Sequence, residues 1–362
     1  MNWLPVYLAT ALTAFLLGLP LTWAARAVAP RLNLLDRPKS EGHKTHKQAT
    51  AVAGGMAMWA AWFVTLCLGL LSCGLLATRL PDGVREGLAG IASVRRLMLT
   101  IVVVATGLMV AGLLDDRKPM PARLKFLLQF IAAGATACSV RVLAGVYPLP
   151  LSWVLTVLWI VTVINAVNFF DNMDGLAGGT GLIALLFIII AAGCRGQHFV
   201  TTLACATAGA AAAFLCFNRP PATIFMGDSG SHFLGYMLAL LCILTTFYHH
   251  ADSPTPFPVL IPLMILAVPL IDAVTVVLIR LRLHKPIYVG DNRHISHRFV
   301  QLGLSRPRAV LLVWLLNIAA GCGALSLLWL PPFGAVLVTF QFLAVMAVIL
   351  IVQLSKNTSQ NP

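Results

Sequence analysis

Five short polar clusters interrupt a chain that is otherwise apolar. In "GLLDDRKPMPARLKFLLQ" (112–129), Asp115 and Asp116 are adjacent at the end of an apolar run, and Lys125 opens the next one. Paired carboxylates there suit Mg2+, a hard cation that takes carboxylates together with substrate phosphates. The ordinary alternative is a solvated loop, salt-bridged to Arg117 or Arg123. Lys125 could meet a phosphate. In "NAVNFFDNMDGLAGG" (165–179), Asn165, Asn168 and Asp171 stand at i, i+3 and i+6, one face of a helix. Polar groups at the end of a span are costly unless they line a cavity or site. Asp174, just before Gly175, could cap the helix that follows.

The third cluster, "NRPPATIFMGDSGSHFLGY" (218–236), is a proline-broken loop running into Gly-Asp-Ser-Gly-Ser. Its glycines admit a ligand close to the backbone, and free N–H groups at a helix start favour phosphate. Asp228 can hold a metal, or Asp228 or Ser229 can simply cap the helix. Phe225 could stack on a flat ring. The fourth, "RLRLHKPIYVGDNRHISHRF" (280–299), carries Asp291, His294, His297 and Arg298. A cationic clamp on a diphosphate accounts for the Arg/His mixture; a basic loop with incidental histidines is the alternative. One His pair with no nearby Cys is thin support for zinc. The fifth, "LLDRPKSEGHKTHKQATAVAGG" (34–55), joins Asp36, Lys44 and His46 to Gly54-Gly55. It reads either as phosphate binding at a helix start or as close helix packing through glycine.

The elements that must position these clusters are membrane spans. Of the 362 residues, 59% are hydrophobic and only 10% charged, against about 25% charged in soluble domains. A span needs about 20 mostly apolar residues. Eleven candidates follow, at roughly 4–28, 52–77, 97–114, 124–146, 151–170, 176–194, 198–217, 232–247, 256–279, 309–330 and 333–354. The expected fold is one all-α polytopic membrane domain covering residues 1–362. With the N-terminus outside, 19 of the 25 Lys and Arg fall in inward connections and 6 in outward ones, as the positive-inside rule requires, and the C-terminus is cytoplasmic. The net charge of +13 is then largely topological, and nucleic acid is excluded because the bases sit in short loops. The eight Cys lie in apolar runs and form no CxxC pair, so they read as small buried apolar residues.

Eight of the twelve acidic residues fall on the same inner side as the bases, which orientation alone does not require. Carboxylates, Asn and cations on one face describe a metal–polyphosphate site, and the chemistry indicated is phosphoryl transfer to a lipid substrate. A transporter is the contrasting class. Transporters place ionisable groups near the bilayer midplane, and here Asp272 alone lies within a span.

Taken in order, "KTH…GG", "DD" with Lys125 and Gln129, "NAVNFFDNMDGLAGG", "FMGDSGS" and a His-containing loop resemble the polyprenyl-phosphate N-acetylhexosamine-1-phosphate transferases, the superfamily of MraY and WecA. The resemblance covers nearly the whole chain. It implies ten or eleven spans in a bacterial inner membrane, an active site on the cytoplasmic face, and Mg2+, with Mn2+ able to take its place. The implied reaction joins a UDP-N-acetylhexosamine to undecaprenyl phosphate, giving an undecaprenyl diphosphate sugar and UMP. Asp228 and Asn168 would be metal ligands. Asp115 and Asp116 would position or activate the lipid phosphate, Lys125 would contact phosphate, and Asp171 would support the site. Asn218, Phe225 and Asp174 would hold the uracil, and His294, His297 and Arg298 the diphosphate-sugar end. Lys44, His46 and Asn165 complete the expected substrate contacts, and a homodimer is an expected assembly. "HISH" stands where the WecA-like branch commonly reads His-x-His-His, and the His-Phe-Glu pattern of the MraY branch is absent. The WecA-like side, with GlcNAc as sugar, is therefore the first expectation, and an MraY-like phospho-MurNAc-pentapeptide transferase the alternative. Asn172 stands where many relatives carry Gly.

Overall fold

A computed structural model describes residues 3–36, 49–75, 91–142, 147–249, 251–286 and 293–354. Lys44 and His46 lie outside the described residues, as does Asp291. The chain divides into two compact units, residues 1–246 and 247–362.

Among the described residues the first unit holds eight α-helices: α1 Leu4–Val28, α2 Gly54–Leu75, α3 Ile91–Arg117, α4 Ala122–Ala137, α5 Leu149–Phe170, α6 Leu176–Cys194, α7 His198–Asn218 and α8 Gly227–Leu244. Helices suit these apolar runs because all their backbone hydrogen bonds are made within the segment, as a bilayer demands. On α1, Leu4, Leu8, Leu12 and Leu16 are exposed at four-residue spacing, a lipid-facing stripe. The opposite face meets α7, where Ala and Gly let the backbones approach; a Cβ on Gly209 would lie 2.2 Å from the Ala11 carbonyl oxygen.

Helix α8 is buried from Ser229 to Cys242, and its neighbours close on its first turn through glycines. A Cβ on Gly112 of α3 would sit 2.4 Å from the Asp228 carbonyl carbon, and one on Gly55 of α2 would sit 2.0 Å from the Gly230 nitrogen. The Gly54-Gly55 pair thus serves close packing. A small sheet that the hydrophobic pattern did not announce braces the same end. Strand β2 (Thr50–Val52) pairs antiparallel with β1 (Leu35–Asp36) and parallel with β3 (Ile224–Phe225), Ala51 facing both Leu35 and Ile224.

The second unit contains α9 Ile261–Ile265, α10 Ala267–Arg282, α11 Ile295–Gln301, α12 Arg306–Ser326 and α13 Pro332–Leu354. The run expected as one span at 256–279 is bent by 68° between residues 257–265 and α10. Pro269 gives the reason: it has no N–H for the Ile265 carbonyl, and its ring crowds that carbonyl.

Among the described residues, nine helices are long and apolar enough to cross a membrane, or ten with the bent pair counted as one span. The expectation of eleven exceeded this through 124–146, whose described residues carry the 16-residue α4. The cysteines also depart from expectation: Cys205 and Cys242 are buried, but Cys67, Cys138, Cys194, Cys216 and Cys322 are exposed. Apolar helix surfaces facing lipid accept them as readily as a core does.

Candidate active site

The two adjacent aspartates at the end of α3 have different partners. Asp116 accepts hydrogen bonds from the backbone N–H groups of Asp228 (2.7 Å) and Ser229 (3.1 Å). These belong to the first turn of α8, whose N–H groups have no intrahelical acceptor. The cap for α8 is therefore supplied by another helix and not by Asp228 or Ser229. Gly227 makes room for it: its φ is +70°, and a Cβ there would lie 2.5 Å from an Asp116 carboxylate oxygen.

Asp115 is 8% exposed. One oxygen accepts the Met120 N–H (2.6 Å), and the other forms an ion pair with Lys125. The Lys125 ammonium also lies 3.0 Å from Asp228 Oδ2, while Asp228 Oδ1 accepts from Asn168 Nδ2 at 2.8 Å. The same amide donates to Ser231 Oγ at 2.8 Å. Asp115, Lys125, Asn168 and Asp228 thus converge from α3, α4, α5 and α8, where two helices end and two begin.

The stripe read as one helical face is interrupted. Helix α5 stops at Phe170, and Asp171 leaves it with φ −81° and ψ 57°. Asn172 donates to the Phe169 carbonyl (3.0 Å) and so satisfies one of the unpaired acceptors at that helix end. Asp171 is half-buried. Burial first, then the charges of Asp228, Asp116 and Asp174, push its carboxyl up to about 7.

The residues expected around uracil also hold the loops together. The Asn218 carbonyl accepts the Gly175 N–H and its amide donates to the Ile224 carbonyl, both at 2.9 Å. Asp174 accepts the Ala222 N–H at 2.9 Å, so it ties residues 218–224 to the α5–α6 turn and does not cap α6. Phe225 is half-buried at the end of β3.

Below the cluster runs a polar column that includes Asn165, expected from the sequence to contact substrate, and Gln129, and that adds His232, Tyr236 and Thr136, to which the sequence assigned no role. Asn165 donates to Gln129 Oε1 (2.6 Å) and to the Val161 carbonyl (2.8 Å). The other end of Gln129 meets His232 Nε2 at 3.3 Å, and Tyr236 OH meets Thr136 Oγ1 at 3.2 Å. Asn165 is thus engaged in this column. The signal was present: 228, 232 and 236 lie at four-residue spacing on α8, and 125 and 129 on α4, polar positions recurring on one face of an apolar helix.

In the second unit, the histidine segment has its own buried anchor. His294 Nδ1 donates to Asp272 Oδ2 (2.6 Å), and Asp272 Oδ1 accepts from the Ile295 N–H (2.7 Å) and Gln353 Nε2 (2.9 Å). Arg298 donates to the Gln353 carbonyl (3.2 Å) and to Gln301 (3.0 Å). His297 is half-buried, its ring 6.5 Å from that of His294. Of the expected clamp, His294 and Arg298 therefore serve internal contacts that join α11 to α10 and α13. Asp272, read only as an ionisable group within a span, has these partners for its charge.

Among the described residues, no three His, Cys, Asp or Glu side chains form a ready-made metal cage. The donor set still fits Mg2+, which characteristically takes one or two protein carboxylates and completes its shell with water and phosphate oxygens. Burial is the first cause of the raised Asp171 carboxyl, and a divalent cation would offset the further part that comes from Asp228, Asp116 and Asp174.

Residues 98–246 match the family model described as "Glycosyl transferase family 4". A "Probable undecaprenyl-phosphate N-acetylglucosaminyl 1-phosphate transferase" of Bacillus subtilis (strain 168) is 31% identical, the match covering 89% of this chain and 86% of the relative. The chain belongs to glycosyl transferase family 4. Another relative, the "Decaprenyl-phosphate N-acetylglucosaminephosphotransferase" of Mycolicibacterium smegmatis, is 32% identical over 96% of this chain and 88% of its own length. A "Phospho-N-acetylmuramoyl-pentapeptide-transferase" of Desulforudis audaxviator is 31% identical over 67% of this chain and 77% of its own. The part matched by the glycosyl transferase family 4 model contains the whole Asp115–Lys125–Asn168–Asp228 cluster and ends with the first compact unit.

Proposed function

We propose that this protein transfers an N-acetylhexosamine 1-phosphate, GlcNAc 1-phosphate before others, from a UDP-sugar to undecaprenyl phosphate or a similar polyprenyl phosphate. The observation that carries the proposal is the cluster of Asp115, Lys125, Asn168 and Asp228 at converging helix ends. Relatives named for polyprenyl-phosphate GlcNAc-1-phosphate transfer match nearly the full chain, whereas the muramoyl-pentapeptide relative matches a shorter part. That difference ranks the GlcNAc reading above the muramoyl-pentapeptide one.

In the proposed reaction an oxygen of the lipid phosphate attacks the phosphorus joined to the sugar. The bridge to the uridine phosphate breaks, UMP leaves with the bridging oxygen, and a lipid diphosphate sugar remains. Asp228, with Asn168 beside it, would hold Mg2+, and Mn2+ could replace it. When bound, the cation supplies charge neutralisation for the phosphates. Lys125 is set between two carboxylates and can turn its ammonium to a phosphate. Asp115 orients Lys125 and faces the incoming lipid phosphate. Asp116 holds the start of α8 and thereby the position of Asp228. Asp171 sits in the same field of charge and would support the site. Asp174, Asn218 and Phe225 frame the uracil subsite. The orientation that supports this chemistry places the N-terminus outside, the C-terminus in the cytoplasm and the site at the cytoplasmic face of a bacterial inner membrane. Purified protein given UDP-GlcNAc, undecaprenyl phosphate and Mg2+ is expected to release UMP. A panel including UDP-GalNAc and UDP-MurNAc-pentapeptide decides the sugar, and no UMP from any donor would reject the proposal.

A further inference from the structure

Helices α1 and α7 run side by side and end together. Arg26 lies in the last turn of α1, and Arg219 is the residue that ends α7. Between these ends opens a cavity of about 410 Å3, lined by both arginines with Phe217, Pro220, Pro221 and Thr223 among its walls. Small-molecule sites occupy about 300–1,000 Å3. Among the described residues that line it there are two arginines and no carboxylate. Cations near helix C-termini are stabilised by the partial negative charge there. That accounts for Arg26 in the last turn. It accounts equally for Arg219, the residue that ends α7, but does not require both arginines to line one cavity.

A guanidinium presents a planar fork of N–H donors that matches phosphate oxygens. Phe217 and the two prolines supply an apolar wall, and the cavity opens where α1, whose leucine stripe faces lipid, stops beside the largely buried α7, the level at which headgroups lie. We propose that this cavity binds a phosphate ester, the headgroup of an anionic phospholipid in the first instance, held between Arg26 and Arg219. It is separate from the Asp115–Asp228 cluster. A ligand there packs against residues 220–223, the segment whose Ala222 N–H is held by Asp174.

The test uses the full-length protein, purified in detergent and examined by native mass spectrometry with added phosphatidylglycerol, phosphatidylcholine or soluble glycerol phosphate. Phosphatidylglycerol is expected to bind in preference to phosphatidylcholine. The Arg26→Gln/Arg219→Gln variant should weaken that binding about tenfold or more, since charge-assisted bonds are lost. Arg26→Lys/Arg219→Lys should weaken it less, and Arg308→Gln, which removes a charge elsewhere, should not change it. Glycerol phosphate binding that depends on the same two arginines, without selective lipid binding, would assign the site to a soluble phosphate ester. Binding of every probe unchanged in the double Gln variant, with thermal unfolding matching wild type, would overturn the proposal. If the double Gln variant unfolds, the single variants carry the same comparison.

Discussion

Replacing Asp116 by Ala should unfold the protein more easily as well as inactivate it, and this separates Asp116 from the other carboxylates. Its two oxygens accept the Asp228 and Ser229 N–H groups at 2.7 and 3.1 Å. A hydrogen bond to a charged group is worth about 1.5–3 kcal/mol net, and loss of a helix N-cap costs about 0.5–2 kcal/mol. Both bonds serve one helix start and overlap in effect, so the expected loss is about 2–4 kcal/mol. For a chain of this size that corresponds to a fall of roughly 3–5 °C in Tm. Gly227 has no side chain to fill the gap. Asp116→Asn keeps one acceptor and should lose about half as much. Tryptophan fluorescence during heating, on matched detergent samples, measures the shift. Asp228→Ala, in contrast, loses its bonds to Lys125 and Asn168 but also relieves the crowding of carboxylates, and should lower Tm less. An Asp116→Ala protein as stable as wild type would refute the capping role.

Three further expectations follow from the same geometry. Gly112→Ala places a methyl 2.4 Å from the Asp228 carbonyl carbon; overpacking of about 1–3 kcal/mol should move α3 off α8 and lower UMP release, and a fully active variant would contradict that packing. Asn218 is buried and holds the Gly175 N–H and the Ile224 carbonyl, so Asn218→Ala should lower Tm by several degrees besides raising KM for the UDP-sugar; a change in KM alone would mean the loop contacts are dispensable. The Asp171 carboxyl, raised from 3.8 to about 7, binds its proton more tightly in the folded protein than in the unfolded chain. Metal-free stability should therefore fall as pH rises from about 4 to 7, and Asp171→Asn should lose that contribution; identical pH profiles for the two proteins would exclude it.

How much of this was legible in the sequence depended on whether a feature is local. Helix ends follow from apolar runs and the polar residues that stop them, so the order of residues alone puts Asp115, Lys125, Asn168 and Asp228 at one end of a bundle. The division of labour between Asp115 and Asp116 was not legible. It depends on which neighbour sits over α8, and that is set by close contact at Gly112. Asp171 reads as helical by spacing, but the helix ends one residue earlier, where Asn172 supplies the terminal hydrogen bond. The histidine segment read as a clamp because it is basic; its buried anchor, Asp272, lies 22 residues away in sequence from His294. The polar column through Gln129 and His232 was hidden for a related reason. A lone polar residue in an apolar run acquires meaning only when a partner helix brings its complement, as Asn165 and Gln129 do.

The most direct test of the central claim is UMP release by purified wild-type and Asp228→Ala proteins, supplied with UDP-GlcNAc and undecaprenyl phosphate. The account predicts UMP formation by wild type that stops on chelation and returns with Mg2+, and a loss of at least about 100-fold in Asp228→Ala with its fold retained. Undiminished UMP release by Asp228→Ala, or by metal-stripped wild type, would contradict it.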